Sequence, residues 1–364
     1  MIETPYTING INHCELYVGN AKQAAYFYEN KMGFKIIAYS GLETGDRNKV
    51  SYLLNQNKIN LVLTSPLKDG TEIGLHIQKH GDGIKDIAFI VDDANSAFNH
   101  SIKKGAISVN KPKLIKDKNG SVVIASIKTF GDTIHSFIEN NNYNGVFLPG
   151  FKVYETSPKK DSADLLNIDH IVGNQPEGEM KKVCKFYEDI FGWHRFWTVD
   201  DKDISTKYSA LRSIVMANNN EKIKMPINEP ALGEKKSQIQ EFIDYYGSAG
   251  VQHIAMSTNN IISTVKILRD RSVKFLETPK SYYKKIKNRV GEIDEDINIL
   301  EKLGILVDSD DDGYILQIFT KPLQDRPTLF FEIIQRKGSK SFGKGNFKAL
   351  FESIESEQKK RGNL

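Results

Sequence analysis

A strand bearing a histidine, a turn, and an amphipathic helix ending in Phe-Tyr-Glu and a glycine-aromatic pair occur together twice in this chain. The first copy spans residues 10–34 (GINHCELYVGNAKQAAYFYENKMGF) and the second 167–193 (NIDHIVGNQPEGEMKKVCKFYEDIFGW). A further pair follows in each half: GIKDIAFIVDDANSAFNHSIKKGA from Gly83 is echoed by GVQHIAMSTNNIISTVKILRDRSV from Gly250. Self-similarity at so long a spacing marks a duplicated folding unit. Each half then holds two strand-helix modules. Strand-like runs broken by Gly, Asn and Asp follow the helices, such as Lys49 to Thr64 and Val122 to Glu139.

At 364 residues with 39% hydrophobic content the chain is long enough for two cores. Between the halves, FLPGF (147–151) runs into the polar stretch ETSPKKDSAD (155–164), which has no apolar period and reads as a linker. The expected division is therefore an N-terminal domain over 1–154, the linker over 155–164 and a C-terminal domain over 165–364. Within the latter, Ser281 to Asp312 is expected to be a helical insertion, with Ile293, Ile297, Leu300 and Leu303 at helical spacing. The segment Asn346 to Lys359 places Phe347, Leu350, Phe351 and Ile354 on one face and reads as a docked terminal helix.

Charge excludes several partners. The formal net charge of +4 is spread along the sequence, so no basic stripe points to nucleic acid or a membrane surface. The two cysteines, Cys14 and Cys184, sit in different halves without a CxxC pair and suit a reducing compartment. No membrane span or secretory leader is read in the sequence, and a cytoplasmic location is expected.

The most unusual chemistry lies late in the chain. Glu332 stands among Phe330, Phe331, Ile333 and Ile334. A carboxylate in so apolar a strand needs a cation or a metal, because burying it unpaired costs several kcal/mol. His170 in LLNIDHIVG and His253 in GVQHIAM also lie in apolar strands. Two imidazoles and one carboxylate on three strands form the ligand set of a facial triad, which suits ferrous iron and leaves open positions for substrate and dioxygen. A lone strand histidine is more commonly a hydrogen-bonded core residue, so the set carries the argument and its members do not. The first half serves as an internal control: His13 matches His170, Asp86 stands where His253 would be, and Glu139 lies near the Glu332 position. That copy reads as structural.

The combination of DHIVGN, PINEP with KSQIQEF, GVQHIA, ILQIFTKPLQDRPTLFFEIIQR and FGKGNFKALFESIE resembles the 4-hydroxyphenylpyruvate dioxygenases of the vicinal oxygen chelate superfamily. The resemblance runs over nearly the whole chain, with five motifs in family order. It implies an α+β fold of two tandem halves, each of paired βαβββ modules forming an open barrel, with a C-terminal gating helix. One Fe(II) per chain would be held in the second half by His170, His253 and Glu332. The substrates would be 4-hydroxyphenylpyruvate and dioxygen and the products homogentisate and carbon dioxide, in the breakdown of tyrosine and phenylalanine. A homo-oligomer, dimer or tetramer, is also implied.

Other positions carry over by motif. Ser213, Asn228, Gln238, Gln252, Gln317 and Asn346 would bind substrate through uncharged polar groups, and Phe319, Phe330 and Phe347 would wall its ring. Strict strand alternation points Gln252 away from His253, so only a twist or bulge would bring both to one pocket. Phe342, Gly343, Gly345, Phe347 and Leu350 belong to the gate. Three alternatives stay open. A hydroxymandelate synthase would share fold, iron and substrate but attack the benzylic carbon; Phe319 and the PINEP stretch favour ring attack. An extradiol dioxygenase would want a further histidine near the metal, for which the second half offers only His194. A ligand-sequestering protein of this superfamily would lack the full triad.

Overall fold

The computed structural model describes residues 4–154, 162–199, 210–284 and 286–363. Most of the expected linker lies outside the described residues.

The first half forms one sheet from β1 (Ile8–Tyr17), β2 (Lys35–Ser40), β3 (Lys49–Gln56), β4 (Ile59–Pro66), β5 (Gly83–Val91), β6 (Ser108–Asp117), β7 (Gly120–Lys128), β8 (Ile134–Tyr143) and β9 (Lys152–Val153), in the order β6-β7-β8-β5-β1-β4-β3-β2-β9. The second half repeats this with β10 (Ile168–Asn174), β11 (His194–Val199), β12 (Ala210–Ala217), β13 (Lys224–Ala231), β14 (Gly250–Ser257), β15 (Leu306–Asp310), β16 (Gly313–Phe319) and β17 (Phe330–Lys337), in the order β11-β12-β13-β10-β14-β17-β16-β15. Each sheet is built on two four-strand modules joined along their first strands, β1 against β5 and β10 against β14, both antiparallel, and β9 adds an edge strand beside β2 in the first. This is the paired βαβββ architecture, and it places the first strands of both modules at the centre.

The module helices are α1 (Ala21–Met32), α3 (Ala94–Lys103), α4 (Met180–Phe191) and α6 (Ile261–Asp270), with α2 (Glu72–His80) and α5 (Gln238–Tyr246) preceding the second module of each half. The repeated glycine-aromatic pair has a physical cause. Gly33 and Gly192 end α1 and α4 at φ 78° and 65°, in the left-handed region that glycine adopts without steric cost. The following Phe34 and Trp193 donate their amides back to Tyr28 and Tyr187 and bury their rings. The halves share a core: Phe89 packs on Phe191 and Trp193, Tyr28 meets Phe331, and the Tyr187 hydroxyl lies 2.8 Å from His135 Nε2.

The stretch expected to be a helical insertion divides. Three short helices, α7 (Lys280–Tyr283), α8 (Ile286–Val290) and α9 (Ile297–Leu303), precede a strand, β15, that closes the sheet edge by pairing with β16. Its sequence, LVDSD, is short and acidic, as edge strands are, and carries little strand signal. The terminal helix α10 (Lys344–Arg361) begins two residues earlier than its apolar face suggests. Among the described residues no helix is long and apolar enough to cross a membrane.

Candidate metal centre and substrate cleft

His170 stands on β10, His253 on β14 and Glu332 on β17, three neighbouring strands of the second sheet. Register explains why they meet. β14 and β17 run parallel with Glu332 beside Ala255, and Ala255 in turn faces His170 across β10. Two bulges complete the alignment. Between Ile168 and His170, β10 uses two residues where β14 uses one, so Asp169 is extra; between His253 and Val251, β14 does the same with Gln252. Such bulges re-aim side chains and recur beside active sites. Simple alternation therefore fails at Asp169 and Gln252.

Each extra residue holds the histidine that follows it. Asp169 Oδ1 lies 2.8 Å from His170 Nδ1, and Gln252 Oε1 lies 3.0 Å from His253 Nδ1. Both acceptors favour a proton on Nδ1, which turns Nε2 of each ring toward the cluster as the atom that would ligate a metal. Those two nitrogens lie 3.2 and 3.3 Å from Glu332 Oε2, and the three donor atoms fall within 4.8 Å of one another. Among the described residues this is the one group of three or more His, Cys, Asp or Glu able to hold a metal ion.

Electrostatics favours a cation here. Burial alone would depress His170, but the Glu332 charge and the Asp169 hydrogen bond outweigh it and push the imidazole up to about 9. Glu332, although burial would raise it, is held at about 2 by the two histidines. Burial pulls His253 down. The cluster thus takes up positive charge even as a bare protein, and a divalent ion bound by neutral nitrogens and an ionised carboxylate satisfies the same demand. The donors fit iron(II) or another divalent metal. Behind them, Arg336 Nε and Nη2 donate to both Asp169 oxygens at 2.8 and 2.9 Å, which holds that carboxyl well below the usual range despite burial.

A cleft of about 430 Å³ opens on the cluster. Of the residues singled out from the sequence, Ser213, Asn228, Gln317, Phe319, Phe342, Gly343, Asn346, Phe347 and Leu350 line it. Gln238, Gln252 and Phe330 instead line a neighbouring cleft of about 400 Å³, although Phe330 stacks on the His253 ring at 4.8 Å. Gly345 lines neither; its amide donates to Asp308. His194 is also absent from the lining and faces Glu221 at 3.5 Å. Sequence reasoning missed Trp197, which stacks on Phe347 at 5.8 Å and tilts against Phe342, and it missed the Asp169–Arg336 clamp. Arg336 was readable only as the residue four beyond Glu332.

The first half keeps the bulges and loses the chemistry. Asn12 and Lys85 are the extra residues at the matching places, with a further bulge at Asn9, and Asn12 Oδ1 lies 2.7 Å from His13 Nδ1. The pairing of Asp86 with Ile134 and of Phe89 with Phe137 puts Ser136, not Glu139, at the level of Glu332. Ser136 donates its amide and hydroxyl to Asp86, while Glu139 accepts from the amide of Ala94 at the start of α3.

Two half-barrels and one buried His-His-Glu cluster define a member of the glyoxalase, bleomycin resistance protein and dioxygenase superfamily, whose family model matches residues 167–318. Residues 2–154 match the model of the hydroxyphenylpyruvate dioxygenase N-terminal domain. The 4-hydroxyphenylpyruvate dioxygenase of Yarrowia lipolytica is 51% identical over 98% of this chain and 93% of its own, and that of Xenopus tropicalis 54% identical over 97% and 92%. The chain belongs to the 4-hydroxyphenylpyruvate dioxygenase family. A solved triple mutant of 4-hydroxymandelate synthase from Streptomyces coelicolor superposes with a TM-score of 0.88 at 30% identity, covering 96% of this chain and 99% of that one.

Proposed function

We propose that this protein is the dioxygenase that converts 4-hydroxyphenylpyruvate and dioxygen to homogentisate and carbon dioxide in tyrosine catabolism, with iron(II) held by His170, His253 and Glu332. The observation that carries the reading is the meeting of two imidazole nitrogens and one carboxylate oxygen within 4.8 Å at the floor of an aromatic cleft. Both oxygen atoms end in the product, one in the new carboxylate left after carbon dioxide departs and one in the ring hydroxyl. Iron(II), when bound, supplies two positions for the 2-oxo acid and one for dioxygen.

The chain's own residues supply placement. Ser213 and Asn228, paired across β12 and β13, present hydroxyl and amide groups from one wall of the cleft. Gln317 fixes Glu332 by donating Nε2 to Oε1 at 2.8 Å. Phe319, Phe342 and Phe347, with Trp197, wall the ring and exclude water, which keeps the reaction coupled to product. Gln238 and Gln252 act from the adjoining cleft, and Phe330 acts through the His253 ring. The reading extends to a cytoplasmic homo-oligomer, dimer or tetramer, with the linker at 155–164 dividing a structural half from the catalytic one.

The test is chromatography of the product formed by iron(II)-loaded protein with 4-hydroxyphenylpyruvate, oxygen and ascorbate. Homogentisate is expected. 4-Hydroxymandelate would overturn the ring-attack reading and leave the metal site standing, and intact substrate would overturn both substrate and reaction.

A further inference from the structure

A polarised hydrogen-bond chain runs from the exposed edge of the short-helix segment to Glu332. Arg289 Nη2 donates at 2.6 Å to the Tyr282 hydroxyl and at 2.6 Å to Val307 O. The Val307 amide also donates to that hydroxyl, at 2.8 Å. The Tyr282 hydroxyl lies 2.7 Å from Val307 O and 2.6 Å from Asn346 Oδ1; Val307 O already accepts from Arg289, whereas Asn346, whose Nδ2 faces Gln317 Oε1, turns its Oδ1 to Tyr282 and takes the hydroxyl proton. That fixes the Asn346 amide, whose Nδ2 donates to Gln317 Oε1 at 2.8 Å, and fixes Gln317, whose Nε2 donates to Glu332. The ends enforce the direction, since guanidinium only donates and an ionised carboxylate only accepts. Reversing either amide would set two donors or two acceptors face to face.

The chain crosses from α7 and α8 to the first turn of α10, where Arg289 Nη1 also donates to Gly345 O at 3.2 Å. Its tightness explains the FGKGNF sequence. Gly343 has φ 74°, and a Cβ there would collide with Gln317 Oε1; a Cβ on Gly345 would collide with the Asp308 carboxylate.

We propose that Tyr282 and Arg289 are positioning residues for the reaction assigned above: by orienting the Asn346 amide they hold the first turn of α10 closed over Glu332. The inference rests on that assignment for its consequence in turnover, and on the hydrogen-bond geometry alone for its consequence in helix closure.

Two variants of the whole 364-residue chain separate these. In metal-free protein, Tyr282→Phe and Arg289→Met should each speed amide exchange over residues 342–361 by about fivefold, the effect of one net hydrogen bond. The double variant should fall short of the product of the two single effects, because Tyr282 stands between Arg289 and Asn346 even though Arg289 also reaches Gly345 O directly. With iron(II) and substrate, the ratio of homogentisate formed to oxygen consumed should fall in both variants while the thermal midpoint holds. Unchanged exchange, additive effects or an unchanged product ratio would overturn the proposal. Should Tyr282→Phe fail to fold, Arg289→Met, altered at an exposed position, gives the same readouts. If wild-type protein makes no homogentisate, the assigned reaction fails, and the exchange result still decides the closure.

Discussion

The two halves place the same backbone geometry under different side chains. Both sheets join their modules through an antiparallel pair bulged at equivalent places, at Asn12 and Lys85 in the first half and at Asp169 and Gln252 in the second. Both put a histidine directly after the bulge at Asn12 or Asp169, with its Nδ1 capped by the bulged residue. Besides the bulged residues themselves, three positions diverge: Asp86 against His253, Ser136 against Glu332, and Glu15 against Val172, which face Asp86 and His253 respectively. Glu332 between two imidazoles is held at about 2, whereas Asp86, pushed up by burial and by the Glu15 charge against the help of Ser136, stands at about 7. His13 is pulled down to about 3 by burial and by Lys49 and stays neutral. Duplication preserved where side chains point; the identity of three of them decides whether a cation is wanted.

The largest test of that contrast removes a donor. His253→Ala or Glu332→Ala should abolish both metal retention and turnover, read by metal analysis after gel filtration and by homogentisate chromatography. The matching His13→Ala and Asp86→Ala changes should leave one metal per chain. Full activity in either second-half variant would break the asymmetry. Next in size, truncation before Phe342 removes the ring that meets His170 edge-on at 5.1 Å and the Asn346 amide on Gln317. The truncated protein should fold and bind metal yet consume oxygen without matching homogentisate; wild-type yield would refute the gate. A smaller effect comes from Asp169→Asn, which gives the second half the neutral acceptor that Asn12 supplies in the first. Loss of that outer partner should weaken metal binding by about 10–100-fold. An unchanged dissociation constant would show that the Arg336 clamp does not act on the site.

Much of this fold was legible because it is written twice. The strand-turn-helix repeat, with its glycine-aromatic helix ends, revealed two halves and their modules, and an isolated carboxylate in FFEII pointed to the candidate metal centre. The bulges were not legible. β14 is buried from Gly250 to Met256, so an extra residue leaves the apolar pattern unchanged, and Gln252 reads as pointing away from His253 when it caps it. Arg336 meets Asp169 across 167 residues, a separation that no local pattern spans. Trp197 carries no motif, and its role comes only from stacking on Phe347. The register that puts Ser136 level with Glu332 depends on the β5–β8 pairing, so the sequence pointed to Glu139 three residues further on.

The smallest predicted effect lies in the first half and concerns stability alone. Asp86 is buried with its carboxyl raised from about 3.8 to about 7, so the folded state holds a proton there that the unfolded chain releases. Between those values the native protein binds more protons than the unfolded one, and stability falls as pH rises, the loss being complete above about pH 7. Asp86→Asn removes the titration and keeps the partners: its oxygen accepts from the Ser136 amide, and its amide group donates to the Ser136 hydroxyl, which turns toward Ser126 at 2.9 Å. The variant should gain roughly 1–3 kcal/mol over wild type at pH 8, with the difference vanishing near pH 4, as read by urea denaturation at several pH values. A difference that does not change with pH would mean that Asp86 is ionised in the folded state. Its single buried charge would then be balanced by neighbours such as Lys85, and the two halves would differ less in electrostatics than their residues imply.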